Sequence, residues 1–120
     1  MSPLIRTLST FLPKQRVITD NLRRFAYGTD ASLYRLVPEV VVRVENEQEI
    51  QSLLQAARKH KRPVTFRAAG TSLSGQAITD GILAMIGDGF ATCDIAAEGK
   101  TVRLGPGMIG GQVNARLAPF

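Results

Sequence analysis

The sequence is poor in the residues that build cross-links and metal centres. It contains one cysteine, Cys93, and one histidine, His60, in 120 residues. A single cysteine excludes a disulfide framework, and the chain alone cannot ligate a zinc or iron–sulfur cluster. We therefore expect Cys93 to act as a small hydrophobic residue, and the lack of disulfides fits a reducing, cytoplasmic compartment.

Aromatic residues and long hydrophobic runs are also scarce. Tryptophan is absent, aromatic residues make up 6% of the chain, and no apolar run reaches the length of a transmembrane helix. The net charge is +5, and its densest run, Arg58 to Arg62, is predicted at a helix end, where cations complement the helix dipole. Because no aromatic residues interleave with these cations, we expect no nucleic-acid partner.

Hydrophobic periodicity predicts an N-terminal helical segment over residues 1–36. A first amphipathic helix is indicated by five apolar residues that share one face: Leu4, Ile5, Leu8, Phe11 and Leu12. After Pro13, a second helix is predicted from Val17, Ile18, Leu22, Phe25 and Ala26, and it ends at the turn YGTD.

A β-α-β unit is predicted next. Val40–Val44 reads as a buried strand, and Val64–Phe66 as a second short strand. Between them Asn46 caps a helix, and Glu49 returns a capping-box contact. The crossover predicts parallel strands in a short sheet with flanking helices, which is an α+β fold with an α/β-like first lobe.

The stretch FRAAGTSLSGQ begins where the second strand ends. In open α/β sheets ligands bind beyond the carboxyl ends of the strands, and small residues there let backbone N–H groups approach an anion. Gly70 and Gly75 can adopt positive φ, and hydroxyl donors are offered by Thr71, Ser72 and Ser74. Composition alone leaves two interpretations open: a pyrophosphate-binding loop, or a tight surface loop with hydroxyl-mediated turns.

Two further glycine motifs are weaker. Gly70–Gly75 has the glycine spacing of a P-loop, but Gln76 stands where that motif needs lysine. GPGMIG, which begins at Gly105, matches a dinucleotide fingerprint, but Pro106 removes a backbone donor. We expect this second motif to be a turn leading into a helix at 111–117.

The ordered combination of segments resembles a known flavoprotein family. YGTDASLYRLVPEVVV, FRAAGTSLSGQ, TDGILAMIG and VRLGPGMIGGQVNARL are similar to the start of a PCMH-type, vanillyl-alcohol-oxidase-like FAD-binding domain. Within that superfamily the chain most resembles the FAD-linked D-lactate dehydrogenase and glycolate oxidase group. The resemblance implies that residues 37–120 are the first part of such a domain, whose second lobe, cap domain and any iron–sulfur domain lie outside this chain.

The resemblance also assigns roles to residues. It implies that the segment Arg67, Ala68, Ala69, Gly70, Thr71, Ser72, Ser74, Gly75 and Gln76 wraps the FAD pyrophosphate, and that Gly107 belongs to a second loop near the cofactor. Arg67 either offsets phosphate charge or pairs with a neighbouring acid. Members with covalent flavin carry a histidine in this loop, whereas this chain has Thr71 and Ser72, which implies non-covalent FAD.

For the whole protein the resemblance implies a dehydrogenase that transfers hydride from a 2-hydroxy acid, with D-lactate the first choice, to flavin. The electrons then pass from the flavin to another acceptor. It is compatible with an iron–sulfur cluster in a C-terminal portion and with peripheral association with the inner membrane. No catalytic residue is assigned within these residues, and the isolated chain is expected to be inactive and to self-associate. The alternative from a different class is a non-catalytic nucleotide-binding or interaction module.

Overall fold

The computed structural model describes residues 1–120 and contains four helices and six strands. In chain order these are α1 (Pro3–Leu8), β1 (Val17–Ile18), α2 (Asn21–Ala26), β2 (Val40–Val44), α3 (Glu47–His60), β3 (Val64–Arg67), β4 (Ile82–Ile86), β5 (Cys93–Ala96), β6 (Thr101–Leu104) and α4 (Gly110–Leu117). No helix combines the length and the apolar character needed to cross a bilayer. The mixture of a partly parallel sheet and helices confirms the α+β class.

The main sheet has the strand order β1-β2-β4-β3. Strands β2 and β3 both pair in parallel with β4, so the predicted parallel relation of β2 and β3 is confirmed. They are not neighbours, however, because β4 lies between them, and the sequence patterns had not assigned this strand. Parallel pairing brings the carboxyl ends of β2, β4 and β3 to one edge of the sheet.

The core lies between this sheet and helices α1 and α3. Its fully or nearly fully buried members are aliphatic: Leu4, Leu8, Leu12, Val17, Val40, Val42, Val44, Leu53, Ala56, Ala57, Ile82 and Ala84. Burial of one large aliphatic side chain contributes about 1.5–3 kcal/mol, so this cluster is the main source of stability. Val41 and Leu83, which alternate onto the opposite sheet face, are also buried. The central strands are therefore covered on both faces.

The first helix is shorter than predicted. It ends at Leu8, and Leu12 is buried from the turn that follows rather than from a helix. Hydroxyl groups explain the early end, since Thr10 Oγ1 donates to Thr7 O at 2.7 Å and competes with the helical pattern. The sequence therefore identified the apolar face correctly, but it predicted a helix longer than the one observed.

The second predicted helix was wrong in its first part. Val17 and Ile18 form strand β1, which pairs antiparallel with Val42 and Val41. Helix α2 begins only at Asn21, because the Asp20 carboxylate accepts a hydrogen bond from Arg23 N at 3.0 Å and caps the helix. Pairing of the β-branched residues with β2 overrides their helical spacing.

Helix α3 begins at the predicted cap, with one difference. Asn46 Oδ1 accepts Glu49 N at 2.9 Å, as the cap prediction requires. Glu49 Oε2, however, accepts Glu45 N at 2.7 Å instead of closing a capping box on the cap residue. The Glu49 carboxylate also accepts hydrogen bonds from two N–H groups of Arg16, at 2.7 and 2.8 Å. This bidentate pair fixes the segment before β1 to the start of α3.

Glu49 makes the stability of the fold pH-dependent. The Arg16 hydrogen bonds lower the pKa of the Glu49 carboxyl below its ordinary value, and burial opposes them. The folded pKa is therefore below the unfolded value of about 4.3, so the stabilisation is complete above about pH 5 and is lost as the pH falls through the folded pKa. We expect Glu49→Gln to lower the free energy of unfolding at pH 7 by about 1–3 kcal/mol and to flatten its decline in acid.

Urea unfolding followed at a series of pH values measures both effects. Glu47→Gln is the matched control, because Glu47 lies in the same first turn of α3, is exposed and forms no ion pair. Equal acid sensitivity in the Glu49 variant and the native chain would contradict the assignment.

Candidate functional site

The segment Ala68–Gln76 follows β3 at the shared carboxyl edge of the parallel strands. It contains neither helix nor strand, which confirms the expected irregular loop. We call residues 68–76 the phosphate loop. No residue in it carries a charged side chain, and most of it is exposed. Any attraction for an anion must therefore come from its backbone dipoles, its hydroxyl groups and charges held outside it.

The phosphate loop offers a row of free backbone donors. The N–H groups of residues 68–73 have no hydrogen-bond acceptor within the chain. Backbone donors that no protein group binds need another acceptor when a ligand or partner covers them. Successive N–H groups in a turning segment also form an anion-binding concavity.

Glycine fixes the shape of the phosphate loop at two points. Gly70 has φ of +69° and Gly75 has φ of +75°, so both adopt the predicted left-handed conformation. A Cβ on Gly70 would lie 3.2 Å from Arg67 Cδ, and one on Gly75 would lie 3.0 Å from Tyr34 Cδ2. Ala68 and Ala69 do not have positive φ. Alanine is therefore compatible with the backbone at these positions.

The hydroxyl groups of the phosphate loop have different surroundings. Ser72 Oγ accepts Ser74 N at 3.3 Å and Gln76 N at 3.1 Å, so it shapes the loop while its own hydrogen remains available. The hydroxyl groups of Thr71 and Ser74 have no hydrogen-bond partner in the chain. All three can still donate to a ligand.

Arg67 lies behind the phosphate loop. Its side chain is 6% exposed, and Nε donates to Ala77 O at 2.8 Å while Nη2 donates to Ala77 O and to Tyr27 O, the latter at 2.9 Å. The guanidinium thus joins the residue before the loop to the residue after it. Burial lowers the pKa of Arg67, and the nearby Asp30 carboxylate opposes this shift. Arg67 donates to main-chain carbonyls and forms no direct ion pair, and its effect on the charge of a phosphate stays a prediction.

Sequence reasoning missed the segment that supports the phosphate loop from the other side. Asp30 Oδ2 accepts Ala77 N at 3.3 Å, and Asp30 Oδ1 accepts Ser32 N at 2.8 Å. Ala31 N donates to Gly70 O at 3.1 Å. The signal was the YGTDASLYR segment itself, since an Asp two residues before a Ser is typical of a local carboxylate-capped turn. Nothing in that pattern indicated that the turn contacts residues 70–77.

A shallow groove lies beside the phosphate loop. Its volume is about 420 Å³, and its lining residues are Tyr34, Arg35, Leu36, Ser74, Gly75 and Ile78. Tyr34 is 63% exposed, and the Arg35 guanidinium lies 4.1 Å from the centroid of the Phe25 ring. The size is within the range of small-molecule sites, but the groove is open on one side.

Gly107 lies in a separate turn after the β5-β6 hairpin. Its N–H donates to Phe90 O at 3.0 Å, and Gly105 N donates to Thr92 O at 2.9 Å. A Cβ on Gly107 would meet the Phe90 carbonyl carbon at 2.9 Å, so glycine is required by close backbone packing. The turn leads into α4, as expected from the sequence. The backbone donor of Gly107 is thus already bound within the chain.

A family comparison agrees with this geometry. Residues 38–120 match the family described as "FAD binding domain". The chain belongs to this family. The match includes the phosphate loop and the whole parallel part of the sheet, and the resemblance to PCMH-type FAD-binding domains is confirmed. FAD is accordingly the cofactor of the domain.

The curated relatives include dehydrogenases and an oxidase subunit by name. D-2-hydroxyglutarate dehydrogenase of Pseudomonas putida is 28% identical over 108 residues, which cover 87% of this chain and 11% of the relative. Glycolate oxidase subunit GlcD of Escherichia coli is 26% identical over 119 residues, which cover 97% of this chain and 24% of the relative. The chain thus spans between a tenth and a quarter of the length of these relatives.

Solved structures share the fold at low sequence identity. An alkyldihydroxyacetonephosphate synthase superposes with a TM-score of 0.79 at 16% identity, over 99% of this chain and 25% of that one. A p-cresol methylhydroxylase superposes with a TM-score of 0.70 at 13% identity, over 97% of this chain and 24% of that one. These likenesses establish the arrangement of strands and helices.

Proposed function

We propose that this chain supplies the pyrophosphate-binding part of an FAD domain in a dehydrogenase that oxidises a 2-hydroxy acid. The observation that carries the proposal is the row of six free backbone N–H groups, residues 68–73, at the carboxyl edge of parallel strands. A pyrophosphate presents many acceptor oxygens in a small volume, and such a row can bind several of them at once.

Each part of the loop has a defined task in this proposal. The N–H groups of residues 68–73 donate to the phosphate oxygens, and the Thr71 and Ser72 hydroxyl groups add side-chain donors. Gly70 and Gly75 set the turns, and Arg67 holds the loop from behind. When bound, the flavin supplies the hydride acceptor, and the protein contributes position and electrostatics.

We propose that the flavin is bound without a covalent link. The phosphate loop contains no histidine or cysteine. The single histidine, His60, lies at the end of α3, where its Nε2 is 2.8 Å from Thr7 Oγ1 at the end of α1. Cys93 is held in β5, opposite Leu104. Gly107 is proposed to belong to a second loop near the cofactor, although its own N–H donates to Phe90 O.

The class of substrate comes from the relatives. Both D-2-hydroxyglutarate and glycolate are 2-hydroxy acids, and the named relatives act on them. We propose a 2-hydroxy acid for the whole protein, with D-lactate as the first candidate to assay. The groups that bind and deprotonate it are proposed to lie in further chain, as are any iron–sulfur domain and the contacts with the electron acceptor or a membrane surface.

The expected result for the 120-residue chain alone is weak but localised FAD binding. The phosphate loop is present, yet a single open groove cannot enclose the large majority of a ligand's surface, as tight small-molecule sites do. We expect FAD and ADP to shift the backbone amide signals of residues 68–73 in a nuclear magnetic resonance titration, with affinity weaker than micromolar. Protein should be dilute, because self-association is predicted from exposed apolar side chains such as Leu33 and Leu73.

Two outcomes would oppose the proposal in different ways. Submicromolar, stoichiometric binding would show that the cofactor site resides in this chain alone. Amide shifts confined to other surfaces, or no amide shifts at the highest ADP concentration of the titration, would favour the non-catalytic interaction module. Riboflavin, which lacks phosphate, is the ligand control and should leave the amides of residues 68–73 unchanged.

A further inference from the structure

The residue that closes the phosphate loop is held by two opposite charges. Ala77 N donates to the Asp30 carboxylate at 3.3 Å, and Ala77 O accepts two N–H groups of Arg67, with Nε at 2.8 Å. Hydrogen bonds to charged partners are about twice as strong as neutral ones. Both polar backbone groups of one buried residue are therefore restrained.

The same acid also orders the segment that supports the loop. Asp30 Oδ1 accepts Ser32 N at 2.8 Å, which turns the chain so that Ala31 N can donate to Gly70 O at 3.1 Å. Asp30 thus connects to the loop at Ala77 through its side chain and at Gly70 through its neighbour. These two contacts lie on either side of the free N–H groups of residues 71–73.

Electrostatics alone would disfavour an acid at this place. A carboxylate near a pyrophosphate site repels the ligand, and its removal should strengthen anion binding. An acid at this position contributes to binding only if the order it imposes on the loop outweighs that repulsion. Removing the acid should raise anion affinity if repulsion is the larger effect and lower it if loop ordering is the larger effect. The sign of the change in affinity therefore separates the two.

We propose that Asp30 is a positioning residue for cofactor binding, which holds the phosphate loop in its anion-binding shape through Ala77 and the Ala31–Gly70 contact. This inference rests on the proposed function of the loop. In this proposal Asp30 makes no contact with the phosphate. It acts by reducing the number of loop conformations that the ligand must select, which raises affinity without a new ligand contact.

The test compares Asp30→Asn with Asp94→Asn in the 120-residue chain. Both substitutions remove one negative charge and keep the side-chain size. Asp94 lies on the exposed face of β5, its side chain has no hydrogen-bond or ion-pair partner, and it controls for net charge. ADP and inorganic pyrophosphate are the probes, and amide shifts of residues 68–73 report their dissociation constants.

Asp30→Asn is expected to weaken ADP and pyrophosphate binding about tenfold, because it loses a charged acceptor. Asp94→Asn should leave both affinities within about twofold, since an exposed charge that makes no contact with the loop is screened by salt. The amides of Ala77 and Ser32 should exchange with deuterium faster in Asp30→Asn alone. The unfolding midpoint in urea should change little, which separates positioning from a general loss of structure. Asp30→Ala serves as the second variant and should weaken binding at least as much.

Unchanged or tighter ADP binding in Asp30→Asn would overturn the inference, because repulsion would then be the larger effect. Unchanged exchange of the Ala77 amide would also overturn it, and this readout needs no ligand. If ADP and pyrophosphate leave the native loop amides unshifted, the proposed function fails, and the Ala77 exchange rate still decides whether Asp30 orders the loop.

Discussion

Replacement of Arg67 by methionine is expected to lower the free energy of unfolding by about 3 kcal/mol or more. Methionine keeps much of the buried stem but removes the guanidinium. The carbonyl groups of Ala77 and Tyr27 would each lose a charged donor, and a buried acceptor without a partner retains its full desolvation cost. Because these carbonyls connect the loop to the segment before β2, the loss should also release the phosphate loop.

Arg62→Met is the matched control for this substitution. Arg62 is also an arginine beside the sheet, but its side chain is 46% exposed and pairs with Glu39 at 2.6 Å on the surface. Surface ion pairs contribute about 0–1 kcal/mol, so we expect a small change. Urea unfolding measures both free energies, and amide exchange of residues 68–77 measures loop order. Equal destabilisation by the two variants would contradict the role assigned to Arg67.

Gly70→Val is expected to remove most of the affinity for FAD and ADP. A β-branched residue at φ of +69° is strained by at least about 1–2 kcal/mol, and its Cβ would also press on Arg67 Cδ at 3.2 Å. The loop escapes this strain by leaving its present shape, which disperses the free N–H groups. We expect binding to weaken by at least about tenfold, measured by the same amide titration.

Gly111→Val is the control for added bulk. Gly111 lies near the start of α4, its φ is not positive, and a Cβ there would have no neighbour within 4 Å. Valine at this position should leave ADP affinity and loop exchange unchanged. Retention of native affinity by Gly70→Val would mean that the observed loop conformation is not the one that binds the ligand.

The sequence determined the parts of this protein that depend on local chemistry. Alternating or continuous apolar residues identified β2 and β3, and the Asn46 cap placed the start of α3. Two glycines in a run of small residues gave a loop with positive φ at both positions. These features follow from backbone sterics and side-chain hydrogen bonds within a few residues. The ordered segments of the phosphate loop and its surroundings also gave the family.

Tertiary structure decided what depends on partners far along the chain. Val17 and Ile18 have helical spacing, but their pairing with Val41 and Val42 makes them a strand. Strand β4 lies between β2 and β3, although it follows both in the sequence. Its apolar side chains are buried on both faces of the sheet, which favours this central position.

The roles of Arg67 and Asp30 were also decided by tertiary structure. Arg67 could have faced a phosphate or an acid, and only the folded chain brings its guanidinium to the carbonyls of Ala77 and Tyr27. Asp30 is separated from Ala77 by 47 residues, and no local pattern predicts that contact. A charge's function depends on which backbone groups the fold places beside it, and that placement is set by the packing of the whole sheet.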